Sequence, residues 1–429
     1  MAVDNARAFT FDDLTRRGLL VFSDGYRTKA SELGPSGFPI LRVSQVMDGR
    51  VTEGTTDCVR KEFASKIGLK LSQKNDVLLT TKGTFGRRAI IRDSDEGYVY
   101  SPQLCWFRVR DSASIDARYL YYWLASREFT SQARGMKSQT DMADYLSLRD
   151  LGRIVVALPA IDEQEAIAGI LASLDDKIEL NRRMADTLDE IAKTLFRLWF
   201  VEPVGRAWPS GGEGLPEGWK VERLGEHVDA VRGLSYSSAN LGELGEGLPM
   251  HNLNSISFAH GYQPSGLKWF TGPYKERNRA AAGELLVANV DVTQNLEVIG
   301  SPAIVPSRFG VDSVFSADLF RVDPKPGTPL TVPYLYMLLR DSRLHRIVVG
   351  FANGTTVNHL SPDALSVPRI VVPPRDLVEQ FDKVVRPMLE RRDELESEND
   401  TLCDIRDTLL PPLLDGRIEV PTSADGEAS

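Results

Sequence analysis

The segment Leu158 to Phe200, LPAIDEQEAIAGILASLDDKIELNRRMADTLDEIAKTLFRLWF, lies in the middle of the chain and decides how the rest is organised. Within it Pro occurs only at Pro159 and Gly only at Gly169. Pro159 precedes the first apolar repeat, and Asp162, Glu163 and Glu165 crowd the first turn, where the positive end of a helix dipole favours carboxylates. Ile167, Leu174, Asn181, Leu188 and Leu195 recur every seven residues, and Ile170, Met184, Ile191 and Leu198 form a companion series broken by Lys177. This spacing predicts a coiled-coil seam. A helix of ~40 residues is roughly 60 Å long, more than an ordinary globular core can flank.

Working outward, the preceding residues read as short strands and turns. FDDLTRRG predicts a brief helix ended by Gly18, NDVLLTTKGTFGRRAII a hairpin-like strand pair, and Ala117 to Gly135 a helical stretch. The second half repeats this order. Gly37 and Pro39 match Gly247 and Pro249, and NDVLLTT with Asp76 matches GELLVAN with Glu284. Phe107-Arg108-Val109 matches Phe320-Arg321-Val322, and Tyr119-Leu120-Tyr121 matches Tyr334-Leu335-Tyr336. YLSLRDLGRIVVALP matches HLSPDALSVPRIVVP, and Asp162 to Gln164 answers Val378 to Gln380. Several matches in one order mark a duplication. The second copy also ends in a long apolar repeat, with Phe381, Met388, Leu395, Leu402 and Leu409 seven apart; Pro387 should kink this helix or mark its start.

These observations predict an α+β chain: two repeated mixed α/β domains, with two long helices pairing as an antiparallel coiled coil. The expected boundaries are 1–157 for the first domain, 158–201 for the central helix and 202–219 for a Gly- and Pro-rich linker. The second domain follows over 220–373, then a helix over 374–416 and a mobile tail over 417–429. Asn181 lies in the first seam and Asn399 in a comparable place in the second; each either fixes register or sits at the edge of the seam. Trp199 and Phe200 either anchor a partner protein or pack into the adjoining domain.

Hydrophobic residues make up 42% and charged residues 26%, ordinary for a folded globular chain. No apolar run is long enough for a membrane helix. The N-terminus lacks a secretory apolar core, and Cys58, Cys105 and Cys403 are isolated, so a reducing cytoplasm is expected. The net charge of -9 weighs against bulk nucleic-acid attraction, but local patches decide such binding. No phosphate loop, dinucleotide fingerprint, zinc motif or nucleophile elbow is found, so neither an enzyme nor a metal or cofactor site is expected.

The polar loops carry the binding signal. In the first domain Lys74, Lys82, Arg87, Arg88, Arg134 and Lys137 are candidates for phosphate contacts, with Thr84 in the same Gly-rich turn. Arg42, Ser44, Gln45, Gln139 and Thr140 are candidates for reading base edges. In the second domain Arg277, Arg279 and Arg308 are the phosphate candidates, and Asn252, Asn254, Asn289, Gln294, Asn353, Thr355 and Thr356 the polar readers. A charged hairpin tip in water explains the basic loops equally simply. Yet the frames match while the polar residues differ, as expected of one scaffold used for two half-sites.

LPAIDEQEAIAGIL with LDDKIELN and LFRLWF, LPEGW at Leu215 to Trp219, and GTT-VNHLSPDAL at Gly354 to Leu365 resemble the specificity subunit of type I restriction-modification systems. The first copy departs from that pattern with MKSQTDMADYL. The resemblance implies a non-catalytic subunit whose two target-recognition domains read a bipartite double-stranded DNA sequence, with the helices setting the spacer. It implies two methyltransferase subunits and restriction/translocase subunits as partners. The alternative is a coiled-coil scaffold without sequence-specific DNA binding, which would need no differing polar loops.

Overall fold

The computed structural model describes residues 7–421 apart from 48, 53, 55–56, 137–144, 206–213, 259–260, 293–295, 311 and 355–356. Two compact units divide the chain. One comprises Met1–Glu179 with Asp400–Ser429, the other Leu180–Asn399, so the division falls inside both long helices.

In the first unit, helix α1 (Phe11–Arg16) starts at Thr10, whose hydroxyl caps the Asp13 N–H while the Asp13 carboxylate returns to the Thr10 N–H. The central antiparallel sheet runs in the order Leu20–Asp24, Leu104–Val109, Val77–Thr80, Arg88–Ile90. Its inner strands alternate between two cores. Val77, Leu79, Cys105 and Phe107 join the cluster that packs Phe11, Trp123 and Phe129, whereas Leu78, Leu104 and Trp106 join Leu41 and Tyr100. A strand covered on both faces is apolar on both, which explains the run Val77-Leu78-Leu79. After α2 (Ala64–Ile67), the stretch expected to be helical forms α3 (Ala117–Trp123) and α4 (Arg127–Met136), followed by α5 (Leu148–Arg153). Strand Val155–Leu158 pairs back on Arg7–Thr10 and leads into α6 (Ile161–Phe196), which continues as a π turn over Arg197–Val201.

The second unit repeats this sheet. Its order is Val228–Arg232, Leu319–Pro324, Leu285–Ala288, Pro302–Ile304, with Leu285 and Val287 on one core and Leu286 and Ala288 on the other. Helices α7 (Val332–Arg340) and α8 (Ser342–Val349) follow, then α9 (Arg375–Leu414). The matches seen in the sequence become matching contacts. Gly37 and Gly247 both take a positive φ, and a Cβ at either would collide with a facing carbonyl, that of Val59 or Phe270. Tyr119 donates to the Ala157 carbonyl at 3.2 Å and Tyr334 to that of Val371 at 3.1 Å. Asp76 and Arg108 form a buried two-toothed pair at 2.6 Å, with the Tyr100 hydroxyl also on Asp76. Their counterparts Glu284 and Arg321 stand 3.7 Å apart, and Arg321 leans on Asp323 at 2.8 Å.

The long helices cover one another within each unit. In the first, Ile167, Ala168, Leu171 and Ala172 share a core with Leu413 and Leu409, and Asp175 accepts from Arg406 at 2.8 Å. In the second, Asn181 donates to Glu398 at 2.9 Å, Asp189 accepts from Arg392 at 3.0 Å, and Phe196 meets Phe381. Partners descend along α9 as residues ascend along α6, so the strands of this coil are antiparallel. Ile167, Asn181, Phe381 and Leu395 are buried, while Leu174, Leu188, Leu195, Met388, Leu402 and Leu409 are half-buried. The companion series is corrected: Ile170, Met184, Ile191 and Leu198 are 38–45% exposed. Leu171, Ile178, Ala185 and Ala192 take the inner positions, one residue later. Alternating steps of three and four fit an apolar stripe in either sense, and the alanines permit the closer approach. Asn181 is fully buried, and Asn399 nearly so, which places both in the seam rather than at its edge. Pro387 lies inside α9, not at its start.

Phe200 is a core residue, and Trp199 is half-buried against the same cluster. Phe200 is 3% exposed and packs edge-on to Tyr334 and Phe381, with Trp199 also against Phe381. The π turn carries both rings toward that cluster.

Removing the Asp76 carboxylate would leave Arg108 charged and buried without its partner. Asp76→Ala is expected to cost about 3–5 kcal/mol of stability, measured by urea unfolding, whereas Glu284→Ala, at a longer and more exposed pair, should cost less.

Candidate nucleic-acid interface

In the first unit, β-ladder residues Val77–Thr80 and Arg88–Ile90 hold a tight connection between them. Gly83 and Gly86 take positive φ there, which lets the chain reverse. The Thr80 hydroxyl accepts from the Arg87 N–H at 3.0 Å and donates to the Thr84 carbonyl, pinning the loop from inside. Thr84 itself is exposed. The cations around this loop rest on aromatic faces. Lys82 lies 4.7 Å from the Tyr145 ring centre, and Arg88 lies 5.5 Å from that of Tyr121. Arg87 extends toward the Met47 sulfur. Arg88 and Arg134 converge on a groove of about 370 Å³ with Phe85, Leu124 and Phe129 among its walls. Two guanidinium groups beside a polar, open groove suit an anionic backbone.

Other expected contacts are placed differently. Arg42 is ion-paired with Asp57 at 2.5 Å and Lys74 with Asp93 at 2.9 Å, although both stay exposed. Ser44 is exposed. Gln45 is 3% exposed, takes a hydrogen bond from the Arg42 N–H and donates to the Thr52 carbonyl. It closes a turn and is corrected from base reader to structural residue. Lys137, Gln139 and Thr140 lie outside the described residues.

The second unit sorts its residues in the same way. Asn252 is buried, donates to the Gly266 carbonyl at 2.5 Å and accepts from the Asn254 N–H at 3.0 Å. Asn289 is buried and donates to the Ala317 carbonyl. Both hold loop backbone, so neither is a base reader as the chain is folded. Asn254, Arg277 and Asn353 are exposed. Arg279 is engaged by Glu276 and Asp312 at 3.0–3.1 Å and lies over Tyr274. Arg308 lies over the Phe309 ring. Gln294, Thr355 and Thr356 lie outside the described residues. The sequence marks Tyr121 only as part of the repeat and does not mark Tyr145, Tyr274 or Phe309 as aromatic supports. Tyr121 sits in the run RYLYYW, whose aromatic density was the available signal.

Beneath the HNLNS turn, His251 is fully buried between the Tyr262 hydroxyl and Ser313, each at 2.8 Å. Ser313 gives its proton to the Ala280 carbonyl, so it accepts from His251 Nε2, and Nδ1 accepts from Tyr262. Burial, with Arg308 nearby, pushes this imidazole down to about 3. Among the described residues no group of His, Cys, Asp and Glu is placed to hold a metal ion, and no helix is long and apolar enough to cross a membrane.

Residues 19–190 match the family model for the type I restriction modification DNA specificity domain. The type I restriction enzyme MjaIX specificity subunit of Methanocaldococcus jannaschii is 22% identical over 374 residues, covering 84% of this chain and 82% of its own. The HindI specificity subunit of Haemophilus influenzae is 23% identical over 410 residues, covering 81% of this chain and 88% of its own. A crystal structure of the type I restriction-modification S subunit from M. genitalium aligns with a TM-score of 0.56 at 17% identity, covering 95% of this chain and 96% of that one. That likeness is one of fold.

Because His251 stays neutral in the fold while an exposed imidazole titrates near 6.5, the unfolded chain takes up a proton first as pH falls. Stability from this group is therefore complete above pH 6.5 and declines toward pH 3. Urea unfolding of His251→Gln should show a smaller loss between pH 7 and 4.5 than the unaltered chain, by about 1–3 kcal/mol.

Proposed function

We propose, from the premise that this chain belongs to the specificity subunits of type I restriction-modification systems, that it reads a bipartite double-stranded DNA target with its two repeated domains. The observation that carries this reading is a duplicated sheet with corresponding contacts and unlike loops. Asp76–Arg108 and Glu284–Arg321 take equivalent places in the two sheets, and Tyr119 and Tyr334 take equivalent places on the helices α3 and α7. The loops beside them differ: TTKGTFGR with its supported cations in one, ANVDVTQN in the other. A scaffold has no use for that combination, whereas a reader of two different half-sites needs it.

In the first domain Lys82, Arg87, Arg88 and Arg134 hold the phosphate backbone, with Lys137, Gln139 and Thr140 alongside in the sequence. In the second, Arg277 and Arg308 take that role, and Asn254, Asn353, Gln294, Thr355 and Thr356 supply base contacts. The domains so assigned span 1–157 and 220–373, and the paired helices between them set the spacer. The chain contributes recognition, and methyltransferase and restriction subunits contribute chemistry in a cytoplasmic complex. Leu180, Met184, Ile191 and Leu198 leave an exposed apolar stripe on α6, which supports docking of methyltransferase subunits along the helices.

Selection of bound duplexes from a random pool, using the chain together with its methyltransferase subunit, should return two short fixed sequences separated by a constant spacer. No preference among duplexes would sink the recognition reading. An extra heptad in both helices that leaves the selected spacer unchanged would remove the ruler. Arg88→Ala with Arg134→Ala should weaken binding across all sequences and lower the slope of log affinity against log salt by about 0.9 per lost phosphate contact, measured by fluorescence anisotropy.

A further inference from the structure

We infer that the inner faces of the two long helices are coded for each other by charge and by size, so that α6 accepts α9 as its partner and rejects a second copy of itself. The inference does not depend on the DNA-reading proposal. Within the first unit, Asp175 of α6 meets Arg406 of α9 at 2.8 Å. Within the second, Asp189 of α6 meets Arg392 of α9 at 3.0 Å. Both acids are on α6 and both bases on α9, two heptads apart on each helix. All four side chains are 11–21% exposed, so water screens these charges poorly.

Antiparallel pairing makes each rung the mirror of the other. Two copies of α6 laid together in this register would set Asp175 against Asp189 at both rungs. Two copies of α9 would set Arg392 against Arg406. Like charges so poorly screened are disfavoured. Asp189 also pairs with Arg340 and Lys193, but across the two helices acid meets base only when α6 meets α9.

Side-chain size repeats the message at the neighbouring turn. Ala172 shares a core with Leu409 in the first unit, and Ala192 shares one with Leu389 in the second. Small residues of α6 and large residues of α9 therefore line the same core on both sides, and the register of the charged rungs sets them opposite one another. A pair of α6 helices would bring Ala172 opposite Ala192 and leave a gap, whereas a pair of α9 helices would crowd Leu389 against Leu409. The two codes are independent, since one is electrostatic and the other steric, yet they exclude the same pairings. A protein whose halves descend from one duplicated ancestor needs such a code. Without it, nothing in the apolar stripe distinguishes its own second helix from a copy of the first.

The test starts from the full chain carrying a protease site between Gly205 and Gly214. The folded protein is cut, mixed with an isotope-labelled cut copy, unfolded in urea, refolded by dilution and weighed by native mass spectrometry. Fragments of the unaltered protein should reassemble as pairs of one first and one second fragment, with homotypic pairs at least ~10-fold rarer. Asp175→Arg with Arg406→Asp keeps the native rung matched but also matches the homotypic rungs, so like-with-like pairs should rise several-fold. Ala172→Leu with Leu409→Ala tests the size code separately and should raise them too. Homotypic pairs as abundant as mixed ones in the unaltered protein would overturn the inference. So would both swapped variants refolding with undiminished selectivity.

Discussion

A helix of 36 residues with one apolar face cannot stand in water, and burial of that face is the constraint from which the rest of this structure follows. Each unit solves it locally. In the first, Ile167, Leu171 and Leu413 close a core that already contains Phe11, Phe107 and Trp123. In the second, Phe196, Phe200 and Phe381 close one that contains Tyr334 and Val287. The helices are therefore part of the domain cores, and a domain without its share of both helices would expose a wall of its own interior. The first unit consequently takes residues from both ends of the sequence, and the second is the continuous stretch between them.

Polar groups inside this pairing carry its specificity. Asp189 shows the balance: burial raises its carboxyl, but hydrogen bonds and charge from Arg340, with Arg392, hold it down at about 2. It is thus ionised throughout the ordinary pH range, and the same carboxylate links α6 to α9 and to α7. Tyr122 does the comparable work in the first unit by donating to Asp175. Apolar stripes alone would tolerate sliding, since every heptad resembles the next. A charged rung tied also to the domain admits one register.

The polar loops obey a different logic. Their frames are held by buried side chains that reach backbone, such as Gln45, Asn252 and Asn289, so the loops they brace can vary without loss of the fold. Cations beside those loops are held on aromatic faces, which orders a long side chain without consuming its charge. The net negative charge of the chain is compatible with this arrangement because local groups such as Arg88 and Arg134, which converge on one groove, set the local field.

Sequence alone determined the duplication, the two long helices, the buried strands and the absence of familiar catalytic motifs. Each of these is written as a repeat or a period: the matching of NDVLLTT to GELLVAN, heptads from Ile167 and Phe381, and unbroken apolar runs. Only the tertiary structure decided which of two equivalent stripes faced inward, choosing Leu171, Ile178, Ala185 and Ala192 over Ile170, Met184, Ile191 and Leu198. It also decided that Gln45, Asn252 and Asn289 brace loops, and that Phe200 fills a core with Trp199 packed against it. The physical reason is common to all of these. Periodicity states that a face will be buried, but the partner's shape and charge select the residues, and a polar side chain's task depends on whether a backbone group far along the chain comes within 3 Å of it.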